Sequence, residues 1–215
     1  LMIMAYKPGI GNSDLTRWQD TFGKRLHGCI VNKVTRHQSN AASKGLKQSL
    51  QSVGIPNFGM IPEDRRLQAI TVGDLASHIG GEFITCSQVV QPLIENYMVG
   101  GLGLDSGQDY FKNKGNKAAI VRGDRPDIQM AALTTSTSCM VLTNGVPPIE
   151  YVRHESELEG IPIILVQSDT LTTMNLLNTV QNNSQFDHPE KLVRLADLIN
   201  KHLDLEPLKL VGLDN

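Results

Sequence analysis

The sequence predicts an α/β protein with mainly parallel sheets flanked by helices and divided into two subdomains. Short continuous apolar runs recur along the chain and alternate with longer amphipathic stretches. Continuous apolar runs are typical of strands that are buried on both faces, as in the βαβ units of a parallel sheet. The pattern restarts after Gly80 and Gly81. We therefore divide the chain into residues 1–79, residues 80–185 and a C-terminal helical extension, residues 186–215.

The first part of the chain is predicted to contain two strands and two helices. Residues 28–31 and Asn57–Pro62 are the apolar runs, and an amphipathic stretch over residues 39–53 separates them. A second helix is predicted to begin at Thr71. Thr71 and Asp74 have the spacing of a capping box, with Asp in place of the usual Glu.

The second part is predicted to contain further strands that alternate with helices, and a last amphipathic helix follows a polar linker. The predicted strands are residues 83–85, 96–99, 118–121, 139–142 and 163–166. The predicted helices are residues 89–94, 128–134, 150–158, 170–180 and 189–203.

Composition and charge exclude several functional classes. The chain has 215 residues, 40% of them hydrophobic and 20% charged, which is typical of a globular protein with a sizeable core. A net charge of −2 and an aromatic content of 5% argue against a nucleic-acid surface. No apolar run approaches the roughly 20 residues that span a bilayer. Cys29, Cys86 and Cys139 form no CxxC pair, so we predict buried thiols in a cytoplasmic protein. From the charge, the aromatic content and the length of the apolar runs, we predict that it binds neither nucleic acid nor membrane.

No catalytic, metal or cofactor motif is found in the sequence. The six histidines lack the spacing of metal ligands, and no nucleophile elbow is present. A nucleoside triphosphate needs a GxxxxGK[ST] loop. Residues 9–14 have the glycines but lack the Lys-Ser/Thr pair, and residues 101–107 lack it too. We therefore expect no catalytic residue and no cofactor, and no ATP hydrolysis by this chain.

A charged turn follows the predicted strand at residues 118–121. Residues 123–127 read Gly-Asp-Arg-Pro-Asp and precede a helical pattern. Ligands of open α/β sheets usually bind at this carboxyl edge. Two interpretations are open at this stage. Asp124 or Asp127 could cap the helix while Arg125 pairs with a neighbouring carboxylate, or the turn could be part of a ligand site.

The same turn and the strand after it resemble the signature of the DRTGG domain. Residues 123–133 read Gly-Asp-Arg-Pro-Asp-Ile-Gln-Met-Ala-Ala-Leu, and residues 139–145 read Cys-Met-Val-Leu-Thr-Asn-Gly. This family of α/β modules is found beside phosphate acetyltransferases and within pyrophosphatases that contain CBS domains. The resemblance runs over about residues 80–185. The family usually has Thr or Ala in place of Pro126 and Gly in place of Asn144. Asn tolerates positive φ, so the turn can survive that change.

The resemblance implies a non-catalytic regulatory module that dimerises and tunes an acetyl- or phosphate-transferring enzyme of the phosphotransacetylase type. The two turns would lie at adjacent strand ends, where Arg125 and helix-terminus amides could hold an anionic metabolite or a nucleotide. The same residues could instead join a homodimer across a twofold axis. The candidate ligand-binding residues are Gly123, Asp124, Arg125, Asp127, Thr143, Asn144, Gly145 and Thr170.

The first part of the chain resembles the back half of a P-loop domain of the dethiobiotin synthetase type. The resemblance lies in residues 29–34, Cys-Ile-Val-Asn-Lys-Val, and in residues 53–67. It implies that Asn32 and Lys33 could lie beside a nucleotide base, although Asn32 could instead close the strand and cap the turn. Such a domain precedes DRTGG in phosphotransacetylase-type chains. The alternative prediction is therefore a fragment of an ATP-dependent synthetase or phosphotransacetylase-family enzyme, with its phosphate loop upstream or on another chain.

Overall fold

The protein folds into two units. The computed structural model describes residues 1–39, 42–101, 107–180 and 184–206. The first unit comprises Leu1–Asp64 and Asp187–Asn215, and the second comprises Arg65–Phe186. The predicted α/β class, with parallel strands flanked by helices, is confirmed.

The strands and helices follow in chain order. The strands are β1 (Met2–Ala5), β2 (Cys29–Val34), β3 (Asn57–Pro62), β4 (Ile70–Thr71), β5 (Glu82–Phe83), β6 (Leu93–Ile94), β7 (Asn96–Gly100), β8 (Lys117–Arg122), β9 (Thr137–Thr143) and β10 (Ile163–Leu165). The helices are α1 (Asn12–Phe22), α2 (Lys47–Ser52), α3 (Arg65–Gln68), α4 (Val72–Ile79), α5 (Gln108–Lys112), α6 (Pro126–Leu133), α7 (Glu150–Glu159), α8 (Thr170–Val180) and α9 (Pro189–His202).

The first unit is built on a parallel sheet in the order β1-β2-β3. The sequence did not predict β1 or α1, because a four-residue strand and a polar helix carry little pattern of their own. Within the predicted helix over residues 39–53, a π-helix over Ala42–Leu46 leads into α2, and residues 40 and 41 lie outside the described part. Helix α9 packs against β3, and Leu203 forms an antiparallel bridge with Gly59.

The second unit is built on a sheet in the order β5-β10-β9-β8-β7. Strands β7 to β10 are all parallel, whereas β5 is antiparallel to β10. Each parallel strand lies beside the one that precedes it in the chain. Because such crossovers are right-handed, α5, α6 and α7 pack on one face of the sheet. All four carboxyl ends therefore lie at one edge.

Alternate residues of β8 face opposite layers, as the two-residue period of a strand requires. Ile120 belongs to the core between the sheet and α4 and α8, together with Leu75 and Leu177. Val121 belongs to the core on the other face, together with Phe111 of α5. The sheet is thus buried on both faces, which explains why its strands have continuous apolar runs.

The prediction of a helix over residues 89–94 is wrong. The segment is irregular and ends in the short strand β6. Pro92 lies in its middle, where a proline removes a helical donor and clashes with the preceding turn. The carbonyl oxygens of Pro92 and Val90 instead accept hydrogen bonds from the first two amides of α4, Val72 N and Gly73 N, both at 3.0 Å.

The predicted capping box at the start of α4 is confirmed. Asp74 N donates to Thr71 Oγ1 at 3.1 Å, and Thr71 N donates to Asp74 Oδ2 at 3.3 Å. The two side chains satisfy amides that the helix leaves free at its N-terminus.

Of the three thiols that the sequence predicts to be buried, two are. Cys29 and Cys139 are buried, whereas Cys86, in the irregular segment after β5, is half-buried. Burial raises the pKa of the Cys29 thiol to about 11 and also raises the pKa of Cys139. Among the described residues, no helix has the length and apolar composition of a membrane-spanning segment.

Lys117, the first residue of β8, is a fully buried amine. Its Nζ donates to Thr135 Oγ1 at 2.9 Å and to Ser136 O at 2.8 Å. The ring centroid of Phe111 lies 5.8 Å from Nζ. Burial lowers the pKa of Lys117 from 10.5 to about 8, because the charged form loses its hydration.

We expect the free energy of unfolding of the wild type to rise relative to that of Lys117→Met between about pH 8 and pH 10.5. In this window the unfolded lysine keeps its proton and the folded one loses it, so the unfolded state binds more protons. The slope is at most about 1.4 kcal/mol per pH unit. Urea unfolding of both proteins across the window measures it. If the free energies of unfolding of the two proteins changed equally with pH, the pKa of Lys117 would be the same in the folded and unfolded states.

Candidate ligand-binding site at the carboxyl edge of the second sheet

The ends of three adjacent strands bring the predicted site residues together. Arg122 pairs with Thr143 in the last register position between β8 and β9. Gly123 N then donates to Thr143 O at 3.3 Å, which joins the turn after β8 to the end of β9. The turn after β9 is joined to the segment after β10, because Asn144 N donates to Ser168 O at 2.9 Å. The two turns are therefore neighbours.

Two ion pairs occupy the turn after β8. Arg125 donates from Nε and Nη2 to the two carboxylate oxygens of Asp127, at 2.9 and 2.8 Å. Arg122 makes the same bidentate contact with Asp124, donating from Nε and Nη2 to its two carboxylate oxygens. Hydrogen bonds from the two arginines lower the pKa of both carboxyls, so the four side chains carry no net charge at neutral pH. The pairing of Arg125 with a carboxylate, one of the two interpretations, is observed.

Neither Asp124 nor Asp127 stands at the N-cap position of α6. The N-cap residue is Arg125, it makes no side-chain capping bond, and Pro126 follows in the first turn. Proline suits this position because its missing N–H would be unpaired there in any case. Asp124 and Asp127 are instead held by the arginines.

Gly123 is required by a close approach to the segment after β9. A Cβ atom at this position would lie 1.9 Å from Val146 O and 2.7 Å from Val146 Cβ. The carbonyl oxygens of Arg122 and Gly123 accept hydrogen bonds from Gln129 Nε2, at 2.9 and 3.0 Å. The turn is therefore fixed from both sides.

Asn144 and Gly145 form the second turn, and both have positive φ, 68° and 64°. The replacement of the family's glycine by Asn144 is thus accommodated in the left-handed region. Their amides donate to Ser168 O and Val166 O, both at 2.9 Å. Because these amides already have acceptors, the two residues shape the turn and do not offer N–H donors to a ligand.

Hydroxyl groups line the start of α8. Thr143 Oγ1 and Thr170 Oγ1 are 2.9 Å apart, and Thr143 is fully buried. Asp169 Oδ1 accepts a hydrogen bond from Thr172 N at 2.7 Å, which caps the helix and lowers the pKa of the Asp169 carboxyl. This carboxylate already occupies the anion-favouring end of α8.

Asn32 and Lys33 belong to the first unit, near the end of β2. Asn32 Oδ1 accepts a hydrogen bond from Lys33 N at 2.8 Å, and Lys33 has φ +60°. This is the local contact expected if Asn32 closes the strand.

Two residues of the site were not singled out from the sequence. Arg122 pairs with Asp124, and Gln129 reaches back from α6 to the turn. The sequence offers one indication for Gln129. It is the only polar residue among the buried positions of α6, which are otherwise apolar. Within the described ranges, no group of three or more His, Cys, Asp or Glu residues could hold a metal ion.

Comparisons with known proteins find a family match within the second unit. A model of the DRTGG domain family matches residues 74–180. The chain is 24% identical over 203 residues to a phosphate acetyltransferase of Nitratidesulfovibrio vulgaris, a match that covers 88% of this chain. It is 21% identical over 198 residues to a phosphate acetyltransferase of Deinococcus radiodurans, a match that covers 86% of this chain. In both cases the match spans only 28% of the relative's length.

A solved structure is also similar at low identity. It is the crystal structure of the CBS and DRTGG domains of the regulatory region of Clostridium perfringens pyrophosphatase, complexed with the activator diadenosine tetraphosphate. The two chains are 15% identical with a TM-score of 0.44, and the match covers 86% of this chain and 76% of the other. The family match confirms the resemblance of residues 123–133 and 139–145 to the DRTGG signature. Residues 74–180, which the model of the DRTGG domain family matches, include both turns of the candidate site.

Proposed function

We propose that this chain is a non-catalytic regulatory module that binds an anionic metabolite or a nucleotide and forms a homodimer. The observation that carries the proposal is a DRTGG domain whose two signature turns meet at one sheet edge, with Arg122 and Arg125 in the first turn. The matches to phosphate acetyltransferases support a link to a phosphotransacetylase-type enzyme of acetyl phosphate metabolism. Free, unpaired cysteines support a cytoplasmic location.

Arg125 is the main anion-binding group in this proposal. Its side chain is 36% exposed and that of Asp127 is 61% exposed, so their ion pair lies in water. Exposed pairs of this kind contribute little to stability, because water screens the charges and the side chains lose entropy on pairing. A phosphoryl group has more negative charge than one carboxylate and can accept the same two hydrogen bonds. It can therefore replace the Asp127 carboxylate as the partner of the Arg125 guanidinium.

Thr170 supplies a second donor. The single hydroxyl proton of the buried Thr143 needs an acceptor, and Thr170 Oγ1 lies 2.9 Å away. When Thr143 donates to Thr170, the proton of the Thr170 hydroxyl is left for a ligand. In this proposal Gly123, Asn144 and Gly145 hold the backbone of the two turns in place.

A thermal-shift screen against adenine nucleotides, acetyl phosphate, coenzyme A and central metabolites tests the proposal. We expect at least one anionic compound to raise Tm with concentration, because a ligand of the folded state stabilises it. Arg125→Ala should abolish the shift. Arg153→Ala is the matched control, since Arg153 is an exposed arginine of α7 paired with Glu157. A shift that survives Arg125→Ala, or no shift with any compound, would contradict the proposed site.

The molar mass from light scattering tests the homodimer in the same samples. We expect twice the chain mass of 23.6 kDa for the wild type. A monomer at all concentrations would remove dimerisation from the proposal. A dimer that dissociates in Arg125→Ala but not in Arg153→Ala would assign the turn to the subunit interface.

The second candidate function is that of a segment within a longer enzyme. It is favoured by the matches to phosphate acetyltransferases, which extend over most of this chain but over 28% of their own length. In this reading the first unit is the back half of a P-loop domain, and Asn32 lies beside a nucleotide base. ATP binding that is lost in Asn32→Ala and kept in Arg125→Ala would favour it. ATP binding that is unchanged in Asn32→Ala would exclude this role of Asn32.

A further inference from the structure

A fully buried glutamine lies beneath the turn after β8. Gln129 is 0% exposed, and its Nε2 donates to Arg122 O and Gly123 O, at 2.9 and 3.0 Å. Both amide hydrogens therefore have acceptors. This fixes the orientation of the amide, because the reverse orientation would place Oε1 against two carbonyl oxygens.

The amide oxygen of Gln129 has no hydrogen-bond partner within the described part of the chain, and it is closed to solvent. It shares a carbon with Nε2, so it lies at the N-terminal end of α6 beside the residues that precede the helix. Buried polar atoms of folded proteins nearly always have a partner. An exception is therefore a place where a water or a ligand group is expected.

The surroundings of this oxygen favour a ligand with two kinds of group. The guanidinium of Arg125 favours an anion, as arginines do for phosphates. Asp127, in the first turn of α6, is the anion that now occupies this guanidinium and that a phosphate would replace. The oxygen of Gln129 only accepts hydrogen bonds, so a fully ionised phosphate cannot satisfy it. A ligand that satisfies both has a phosphate and also an O–H or N–H donor.

We propose that the turn after β8 binds a phosphorylated ligand that also carries a hydroxyl or amino group, and that Gln129 Oε1 accepts a hydrogen bond from that group. This inference rests on the proposed function, because it assigns the ligand class of the same site. Since Oε1 is closed to solvent, binding displaces part of the turn. The exposed pairs Arg122–Asp124 and Arg125–Asp127 are the contacts that exchange, because pairs in water are readily broken.

Calorimetric titrations with ATP and with inorganic tripolyphosphate test the inference. The two probes share a chain of three phosphates, but only ATP has ribose hydroxyls and an amino group. We expect the wild type to bind ATP at least about tenfold more tightly than tripolyphosphate. Gln129→Met keeps the volume but removes the acceptor together with the two donors to Arg122 O and Gly123 O. The measured quantity is therefore the ratio of the two affinities, and this variant should lose the preference for ATP over tripolyphosphate. Gln108→Met, at an exposed amide of α5, is the matched control and should keep the preference.

Three other outcomes of these titrations would overturn the inference. Equal affinity of the wild type for the two probes would overturn the inference and leave the anion site in place. A preference for ATP that persists in Gln129→Met would mean that Oε1 holds an internal water only. Binding of neither probe would remove ATP and phosphate chains from the proposed function as well. If Gln129→Met does not fold, NMR of the wild type decides, since the Gln129 side-chain amide signals should shift with ATP and not with tripolyphosphate.

Discussion

Replacing Gly123 by Ala should lower the free energy of unfolding by about 3 kcal/mol and abolish ligand binding at the turn after β8. The added Cβ would lie 1.9 Å from the carbonyl oxygen of Val146 and 2.8 Å from its carbonyl carbon. These are backbone atoms and cannot rotate away as the end of a side chain can. The turn after β8 and the segment after β9 must therefore separate, which moves Arg125 relative to Thr170. Urea unfolding and calorimetric titration of the same sample measure the two effects.

Gly101→Ala is the matched control for Gly123→Ala. Gly101 follows β7, another strand of the same sheet, and a Cβ there would meet no atom of the described residues within 4 Å. We expect its free energy of unfolding to stay within about 0.5 kcal/mol of the wild type. If Gly123→Ala is as stable as Gly101→Ala, the close approach to Val146 does not hold the turn.

The two glycines of the DRTGG signature have different physical roles in this chain. Gly123 has no positive φ and is needed because another backbone lies against it. Gly145 has φ +64°, and a Cβ there would lie 2.4 Å from Gln167 Oε1, which is the end of a flexible side chain. Gly145 is therefore needed mainly for its conformation. An alanine at position 145 meets strain, whereas an alanine at position 123 meets a backbone that cannot yield.

The strands of the second sheet could be predicted because they are buried on both faces. The prediction for β8, residues 118–121, falls inside the observed Lys117–Arg122, and the prediction for β9 falls inside Thr137–Thr143. Strand β1 has four residues, of which only Met4 is buried, and it was missed. A short edge strand does not produce a run of apolar residues that differs from a loop.

The site could be predicted only as far as backbone topology determines it. Parallel strands bring their carboxyl ends together, so the meeting of residues 123–127 with residues 143–145 follows from the order of the strands. The choice of partner by each arginine does not follow, because Arg125 has an aspartate on either side in sequence. Gln129 could not be assigned either, since its contacts are two backbone carbonyls that no motif specifies.

In the first unit, Gly59→Ala should lower the free energy of unfolding by about 3 to 4 kcal/mol and release the end of α9 from β3. Gly59 has φ +140°, and a Cβ there would lie 2.1 Å from His202 O and 3.0 Å from Leu203 Cα. The strand is tied to the end of this helix at the same place, because Asp204 N donates to Phe58 O at 2.8 Å. An alanine at position 59 therefore combines a strained backbone with a contact between two main chains.

Gly54→Ala separates these two contributions. Gly54 also has positive φ, +76°, but a Cβ there would lie farther than 4 Å from every atom in the described part of the chain. We expect it to cost only about 1 to 2 kcal/mol, the cost of a left-handed backbone for alanine. The difference between the two variants then measures the contact of β3 with the end of α9. Hydrogen exchange shows where the contact is lost. The amides of Phe58 and Asp204 should lose protection from exchange in Gly59→Ala and keep it in Gly54→Ala. Equal protection in both variants would mean that backbone strain alone explains the loss.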